Sequence, residues 1–588
     1  MLVYGDTART GDPPQWLARV AALCRQAAAL PPGIERHGRL VAALIEVGEL
    51  GQGIADAIFV QHGADTPSAG SEAVTALLMA LARAVRRSWS SGFTSCEAIP
   101  PGLLEAVERT LLPTSITGKR AEGFAFYALY PEAYAAAAET SGLGGDTRVV
   151  GIRSIGLPLA AMTASALGAS PPLTIRPVGH PFERRLSLSR AMDDALCGDL
   201  RGDIAIVDEG PGLSGSSFGA VADHLEARGV APARLVFFPG HTGEPGPMAR
   251  ARHRARWATT RRIAIGFDEL VLDAREPVHR LDSWVASLIG PLDGPLDDIS
   301  GGAWRSLQAA PFDAWPPVHA QQERRKFLAR ADGATWLVKF AGLGAAGDEA
   351  LALARQLQAA GFTPPVAGLV HGFLVERWLA EARPLTSGAI DPLRLAEAVG
   401  HYLAFRARTL PAEPGRGAAL SDLVAMARHN TAEALGHDTA RLFDPWDERR
   451  VAGLAERVRP VLIDGRLQPW EWLLLPDGSL RKADALEHHA GHDLVGCQDI
   501  AWDVAGAAIE LDLPPDAQEC LASTMVREGA RWPDPDLLAL LALCYLAFRL
   551  GASSLAAESG AAPDEAQRLR RAASAYGARL GRLLRDGG

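Results

Sequence analysis

At 588 residues the chain is too long for one compact domain, and about 150 residues per domain gives roughly four units as a prior. Hydrophobic residues at 48% and charged residues at 22% exclude a mostly disordered or fibrous chain, and a net charge of -10 disfavours unspecific attachment to nucleic acid or anionic lipid, so any phosphate site must be local. The six cysteines, Cys24, Cys96, Cys197, Cys497, Cys520 and Cys544, include no CxxC pair, which fits a reducing cytoplasm better than a disulfide framework.

In chain order, the N-terminal stretch MLVYGDTARTGDPPQW carries acids and no apolar run of the signal-peptide kind. Residues 1–114 read as a helical region: WLARVAALCRQAAAL, RLVAALIEVGELGQGIADAIF and EAVTALLMALARAVRRSW place apolar residues three and four apart, and no chemistry stands out among them. Between 115 and 275 short apolar runs alternate with helical ones: FAFYAL, RVVGIRS before LPLAAMTASALG, LTIRP, DIAIVDEG before FGAVADHLEARG, and RLVFFPG. That rhythm predicts a parallel α/β sheet. Residues 276–317, with GPLDGPLDDISGG and APFDAWPP, form a Pro- and Gly-bearing connector.

From 318 to 588 the order is a hairpin turning at Asp332-Gly333, a helix over DEALALARQLQAAG, a strand GFLVERWL, then helical spacing interrupted around WEWLLLPDGSLRKADAL. The longest apolar run, Leu537 to Phe548, is 12 residues and too short to span a bilayer, so it reads as a buried helix and no membrane partner is expected. The basic stretch MARARHRARWATTRR, with Trp257, reads as a solvated helix face rather than a nucleic-acid surface. The expected class is therefore multidomain α/β and α+β, and the sequence leaves a homo-oligomer open.

The most specific motif is DIAIVDEGPGLSGSSFGAVADHLEARG. A strand leads to Asp208 and Glu209, then to a loop of Leu213, Ser214, Gly215, Ser216 and Ser217, then to a helix. Glycines let backbone N–H groups approach a phosphate, serine hydroxyls donate to it, and the helix N-terminus favours an anion. Carboxylates at the strand end accept from sugar hydroxyls.

These residues resemble the type I phosphoribosyltransferases. The resemblance, over about residues 115–275, implies binding of phosphoribosyl pyrophosphate with magnesium and transfer of ribose 5-phosphate to a nucleobase-like or other small acceptor. It implies ribose recognition by Asp208 and Glu209 and 5-phosphate recognition by residues 213–217, with one extra residue in GPGL as a departure from the family. RVVGIRSIGLPLAAM, with Arg153, Ser154 and Gly156, takes the place of the pyrophosphate loop. LTIRPVGHPFERRLSL, with Arg176, His180, Arg184 and Arg185, resembles in position the mobile loop that closes over the substrate.

The second half, about residues 318–585, resembles the aminoglycoside phosphotransferase and small-molecule kinase superfamily more weakly. TWLVKF puts Lys339 where a nucleotide-clamping lysine stands, and the next helix offers Glu349 as its partner. DGRLQPWEWLLLPDGSLRKADAL followed by QDIAWDVAGA implies Asp484 as metal ligand, Asp503 as a structural helix acid, and ATP with magnesium. The departures are Arg466 at the base position and Glu471 at the position of a metal-binding Asn. An arginine cannot take a hydroxyl proton, so either phosphotransfer is lost or another acid, such as Asp464, serves. The nearby His488, His489, His492 and Asp493 match no closed zinc spacing and read as a polar loop beside Asp484.

The leading expectation is thus a phosphoribosyltransferase fused to a kinase-like domain. The alternatives are a non-catalytic sensor of phosphoribosyl pyrophosphate or nucleotide, and a small-molecule kinase with a nucleotide-binding accessory domain.

Overall fold

The computed structural model describes residues 8–586 apart from 96, 199–200, 247–248, 309–310, 387, 414, 487 and 492–493. Three helices open the chain, Pro13–Ala29, Ile34–His62 and Ala69–Ser90, each over one of the predicted periodic runs. Asp12 caps the first by accepting from Gln15 N at 2.8 Å, and Ser68 caps the third by accepting from Ser71 N at 3.1 Å, which satisfies donors that the first helical turn leaves free. Leu40, Leu44, Val47, Leu50 and Ile54 follow helical spacing down the second helix and are buried.

The predicted parallel sheet has five strands, in the order Leu173–Ile175, Arg148–Ile152, Ile204–Val207, Leu235–Phe238, Arg261–Arg262. All four pairings are parallel. Alternate side chains face opposite ways: Val150, Ile152, Ile204 and Ile206 pack with Phe218 and Trp257, while Val149, Ala205 and Val207 join the N-terminal helices. Trp257, in the basic helix Ala251–Thr259, is thus an anchor that fastens this helix to the sheet. The run FAFYAL is not a strand. It forms the short helix Glu122–Phe126 and a turn, because its carbonyls serve the second half: Phe124 O accepts from Leu343 N at 2.9 Å, and Ala125 O accepts from Arg324 at 2.5 Å.

The second half opens on an antiparallel five-stranded sheet, in the order Asp297–Asp298, Lys326–Ala331, Ala334–Phe340, Phe373–Arg377, Val366–Val370. The first of these strands comes from the connector. The turn at Asp332-Gly333 has positive φ at both residues, as a two-residue hairpin loop demands. Helix Ala345–Ala359 follows the central strand, and a helical part with its own core completes the chain. Within that part, helix Pro535–Glu558 is long and apolar enough to cross a membrane by length and composition, and it packs against Leu420–Leu435, Ala501–Glu510 and Pro563–Asp586. Its Leu540, Leu541, Cys544 and Tyr545 are buried there.

One apolar core unites the N-terminal helices, one face of the parallel sheet, the connector helix Leu281–Ile289 and the antiparallel sheet through Phe327, Val338, Phe340, Phe373 and Val375. The two sheets therefore belong to one packed body.

Candidate functional site

The cleft of the second half is assembled from three segments. Strand Ala334–Phe340 delivers Lys339, whose side chain is buried, and its Nζ lies 2.7 Å from Asp484 Oδ1. Asp484 follows the hairpin Trp472–Leu474/Leu480–Lys482, in which Trp472 pairs with Lys482. One step outward, Ala483 N donates to Glu471 O at 2.9 Å, so Glu471 and Asp484 flank the same end of the hairpin. The third segment is the start of helix Ala501–Glu510. There Asp503 accepts from Asp464 N at 2.7 Å and Gly465 N at 2.8 Å, pinning the turn that precedes Arg466.

Charge is nearly balanced inside this cleft. Burial alone would raise the Asp484 carboxyl, but Lys339 and His488 hold it well below the usual carboxylate range. Asp464 has no exposed side-chain surface and is surrounded by Lys482 Nζ at 3.3 Å, His488 Nδ1 at 3.4 Å and Arg406 Nη2 at 3.8 Å, with Tyr402 donating its hydroxyl. Burial opposes the Asp464 charge, yet these cations keep its pKa low. Asp503, by contrast, is pushed up to about 6 by burial and by Asp464 beside it. Burial and Arg466 work against a charged His488, but Asp484 and Asp464 prevail and raise its pKa.

Asp464 is therefore poorly placed to serve as the replacement base: it has no exposed surface, and Lys482, His488, Arg406 and Tyr402 occupy its oxygens. Glu349 does not reach Lys339; it pairs with Arg120 at 2.8 Å on the surface, and Asp484 takes its place. The polar-loop residues His492 and Asp493 lie outside the described residues. Lys482, Tyr402 and Arg406 escape the sequence reading, although the LRKAD run places Lys482 two residues from Asp484.

The connection between the first two strands of this sheet, residues 299–325 apart from 309–310, carries Gly301 and Gly302, both with positive φ, and forms a strap fastened to the last helix. Glu565 fastens it, accepting from Arg305 Nη1 at 2.8 Å and Val318 N at 2.7 Å. Under the strap a cavity of about 130 Å³ is walled by Trp304, Val318, Glu323, Arg466, Glu471 and His488.

The second constellation lies at the carboxyl ends of the parallel strands. Asp208 is half-buried; its Oδ1 accepts from Glu209 N at 2.9 Å, and desolvation pushes its carboxyl up to about 7. Gly156 opens the helix after Arg148–Ile152 so close to the neighbouring strand that a Cβ there would lie 2.6 Å from Val207 O, which explains a glycine at this turn without any ligand. Ser154, in the same turn, is half-buried. Arg153 is enclosed, its Nε 2.9 Å from Asp56 and its other nitrogens bonded to Asp65 and to Thr174 O at 3.2 Å.

Asp56 also holds Arg176. Neither acid is apparent in the sequence, since both sit in or just after a helix that shows only apolar periodicity. The hairpin Val178–His180/Glu183–Arg185 lies over the loop, and Pro181 O accepts from Ser214 at 2.8 Å and Ser216 at 2.6 Å. Arg184 donates to Pro177 O at 3.0 Å, His180 Nδ1 accepts from Phe182 N at 3.3 Å, and Arg185 lines an outer groove with Asp223 and His224. Leu213 is exposed and Gly215 has positive φ, while Ser217 stands in the first turn of helix Ser216–Ala227.

No family model and no curated protein matches the chain. Solved structures do. A choline kinase from Streptococcus pneumoniae matches at 17% identity over 43% of this chain and 89% of its own, with a TM-score of 0.31. An ethanolamine kinase from Plasmodium vivax matches at 14% identity over 45% and 80%, with a TM-score of 0.30. A thermostable mutant of an aminoglycoside phosphotransferase, in ternary complex with AMP-PNP and hygromycin B, matches at 14% over 52% and 99%, with a TM-score of 0.33.

These neighbours are kinases and not phosphoribosyltransferases, so the expectation of a phosphoribosyltransferase is corrected to one without support among them. The roles expected of Asp208, Glu209 and Arg153 rested on that activity, and magnesium-bound phosphoribosyl pyrophosphate as substrate is unsupported by these neighbours. The local geometry agrees in one respect: Arg153, expected to meet pyrophosphate, is already neutralised by Asp56 and Asp65.

Proposed function

We propose that residues 297–586 bind a nucleoside triphosphate with magnesium, as a module of the small-molecule kinase type, with Lys339 toward phosphate and Asp484 toward the metal. The observation that carries this reading is the 2.7 Å Lys339–Asp484 pair, a buried cation and a mostly enclosed carboxylate delivered by the sheet and by the hairpin of the helical part. Such a pair is costly to bury for stability alone. It has a use if the lysine turns to a phosphate and the carboxylate to a cation. Magnesium suits the donors, since it takes oxygen ligands, and Asp484 with Glu471 at the hairpin end supplies carboxylates. Bound there, the metal neutralises phosphate charge.

This chain's own residues would then bind and orient. Asp503 keeps the Asp464–Gly465 turn in place, His488 braces Asp464 against Asp484, and the strap limits water. Proton removal from an acceptor is the missing part, because Arg466 cannot accept a proton and Asp464 is enclosed. A second reading rests on Glu471, which lines the same cavity as Arg466 and His488: a small-molecule kinase using this acid as its base. Thermal unfolding of the full chain separates these readings from a purely structural cleft. Millimolar Mg-ATP is expected to raise Tm by several degrees in the wild type and not in Asp484→Asn; no rise in either contradicts nucleotide binding. Transfer to small hydroxylated acceptors that vanishes in Glu471→Gln, with ATP binding retained, supports the second reading.

A further inference from the structure

Away from both constellations, three buried polar side chains converge where the N-terminal helices meet the second half. His37 comes from helix Ile34–His62, Glu132 from helix Pro131–Thr140, and His371 from the turn between Val366–Val370 and Phe373–Arg377. Their donor atoms all lie within 4.8 Å of one another. His37 Nε2 is 2.7 Å and His371 Nε2 3.2 Å from the same oxygen, Glu132 Oε1. Glu132 Oε2, His37 Nδ1 and His371 Nδ1 have no hydrogen-bond partner among the described residues.

Leaving such groups unpaired in a dry interior costs about 1–3 kcal/mol each, so a cluster of them calls for an occupant. The enclosure is apolar. Ring centroids of Phe93 and Trp89 stand 4.9 and 5.7 Å from His37, and those of Tyr130 and Trp284 stand 5.1 and 5.3 Å from His371. The turn is built to aim His371 inward: His371 has φ of 40° and Gly372 φ of 93°, a two-residue hairpin loop where Asn-Gly is the ordinary choice. Tyr130 fixes it by donating to His371 O at 2.7 Å.

We propose that His37, Glu132 and His371 form a structural site for a divalent cation of the zinc type, which clasps the N-terminal helices to the second half. Two imidazoles and a carboxylate are an established zinc donor set, with metal–ligand distances of about 2.0–2.2 Å and hence donor separations of about 3.3 Å in a tetrahedron. The present 2.7 and 3.2 Å separations open to that value with shifts of a few tenths of an ångström. The cation replaces the proton shared by His37 and Glu132, which leaves to solvent, and Glu132 Oε2 gains a partner. With both Glu132 oxygens and the two imidazoles as its four donors, all on buried side chains, the metal holds segments together and performs no reaction.

The test is metal content and stability of the full-length protein, stripped by chelator and dialysed against Zn²⁺ or Co²⁺. One ion per chain is expected, with a higher Tm in the loaded protein and the visible absorption of low-symmetry Co²⁺. His371→Asn keeps a residue suited to the turn and should weaken binding at least tenfold, as should Glu132→Gln. Cys197→Ser, which alters the other cluster of metal-binding residue types among the described residues, Asp193, Cys197 and His224, should bind as the wild type does. Failure of the wild type to take up either ion, or undiminished uptake in His371→Asn, overturns the proposal.

Discussion

Lys339 and Asp484 show how much a single buried charge can decide. Removing one partner takes the nearest counter-charge from the other, and breaking a buried pair in this way costs up to about 3–5 kcal/mol. We expect Lys339→Met and Asp484→Asn each to lower stability by that order in urea unfolding, and the double variant to lose clearly less than the sum. Strict additivity would mean that the two side chains do not interact. Asp208 carries a pH signature of opposite origin. Its carboxyl, pushed up to about 7 by burial, is protonated in the folded chain over a range where the unfolded chain has released the proton. Stability from this group is complete below about pH 4 and is lost as pH rises to about 7, by up to about 4 kcal/mol. Asp208→Asn should flatten that slope; an unchanged slope would remove Asp208 as its source. The sequence showed the residues of both sites but not their partners. Glu349 stands one turn along the right helix yet turns to Arg120, and Arg153 reads as a free cation only until Asp56 and Asp65 close on it from a helix far away in sequence.

Among elements, hairpins and amphipathic helices were legible because their signals are local. Asp332-Gly333 announces its turn, and the three N-terminal helices follow their periodicity and caps. FAFYAL misleads, since its strand-like composition is overruled by carbonyls that serve Leu343 and Arg324. The strap of residues 299–325 looks like a linker by its Pro and Gly content, and nothing local tells that Glu565, 260 residues beyond Arg305 and 247 beyond Val318, receives both. Glu565→Ala removes the carboxylate from the buried Arg305 and the acceptor from Val318 N, so the strap should loosen. Limited proteolysis should then cut the variant within 299–325 faster than the wild type. Equal cutting would show that the strap is held by other contacts.

At the scale of the whole molecule, a change from an α/β first half to a small sheet followed by a larger helical part follows from the change in apolar spacing near residue 290. What spacing cannot show is that Phe327, Val338, Phe340, Phe373 and Val375 turn one face of the antiparallel sheet onto the N-terminal helices. Each of these residues alternates as in any half-buried strand, and the identity of its partner is a long-range fact. Because this core is continuous, a chain nicked in the strap should elute from size exclusion as one species at neutral pH. Separation of the fragments without denaturant would contradict a shared core. The central functional claim is nucleotide capture by the Lys339–Asp484 cleft. It is tested most directly by equilibrium binding of labelled ATP with magnesium to the full chain. One site per chain, weakened at least tenfold in Lys339→Met/Asp484→Asn, is the expected result; no binding, or equal binding by the double variant, would contradict it.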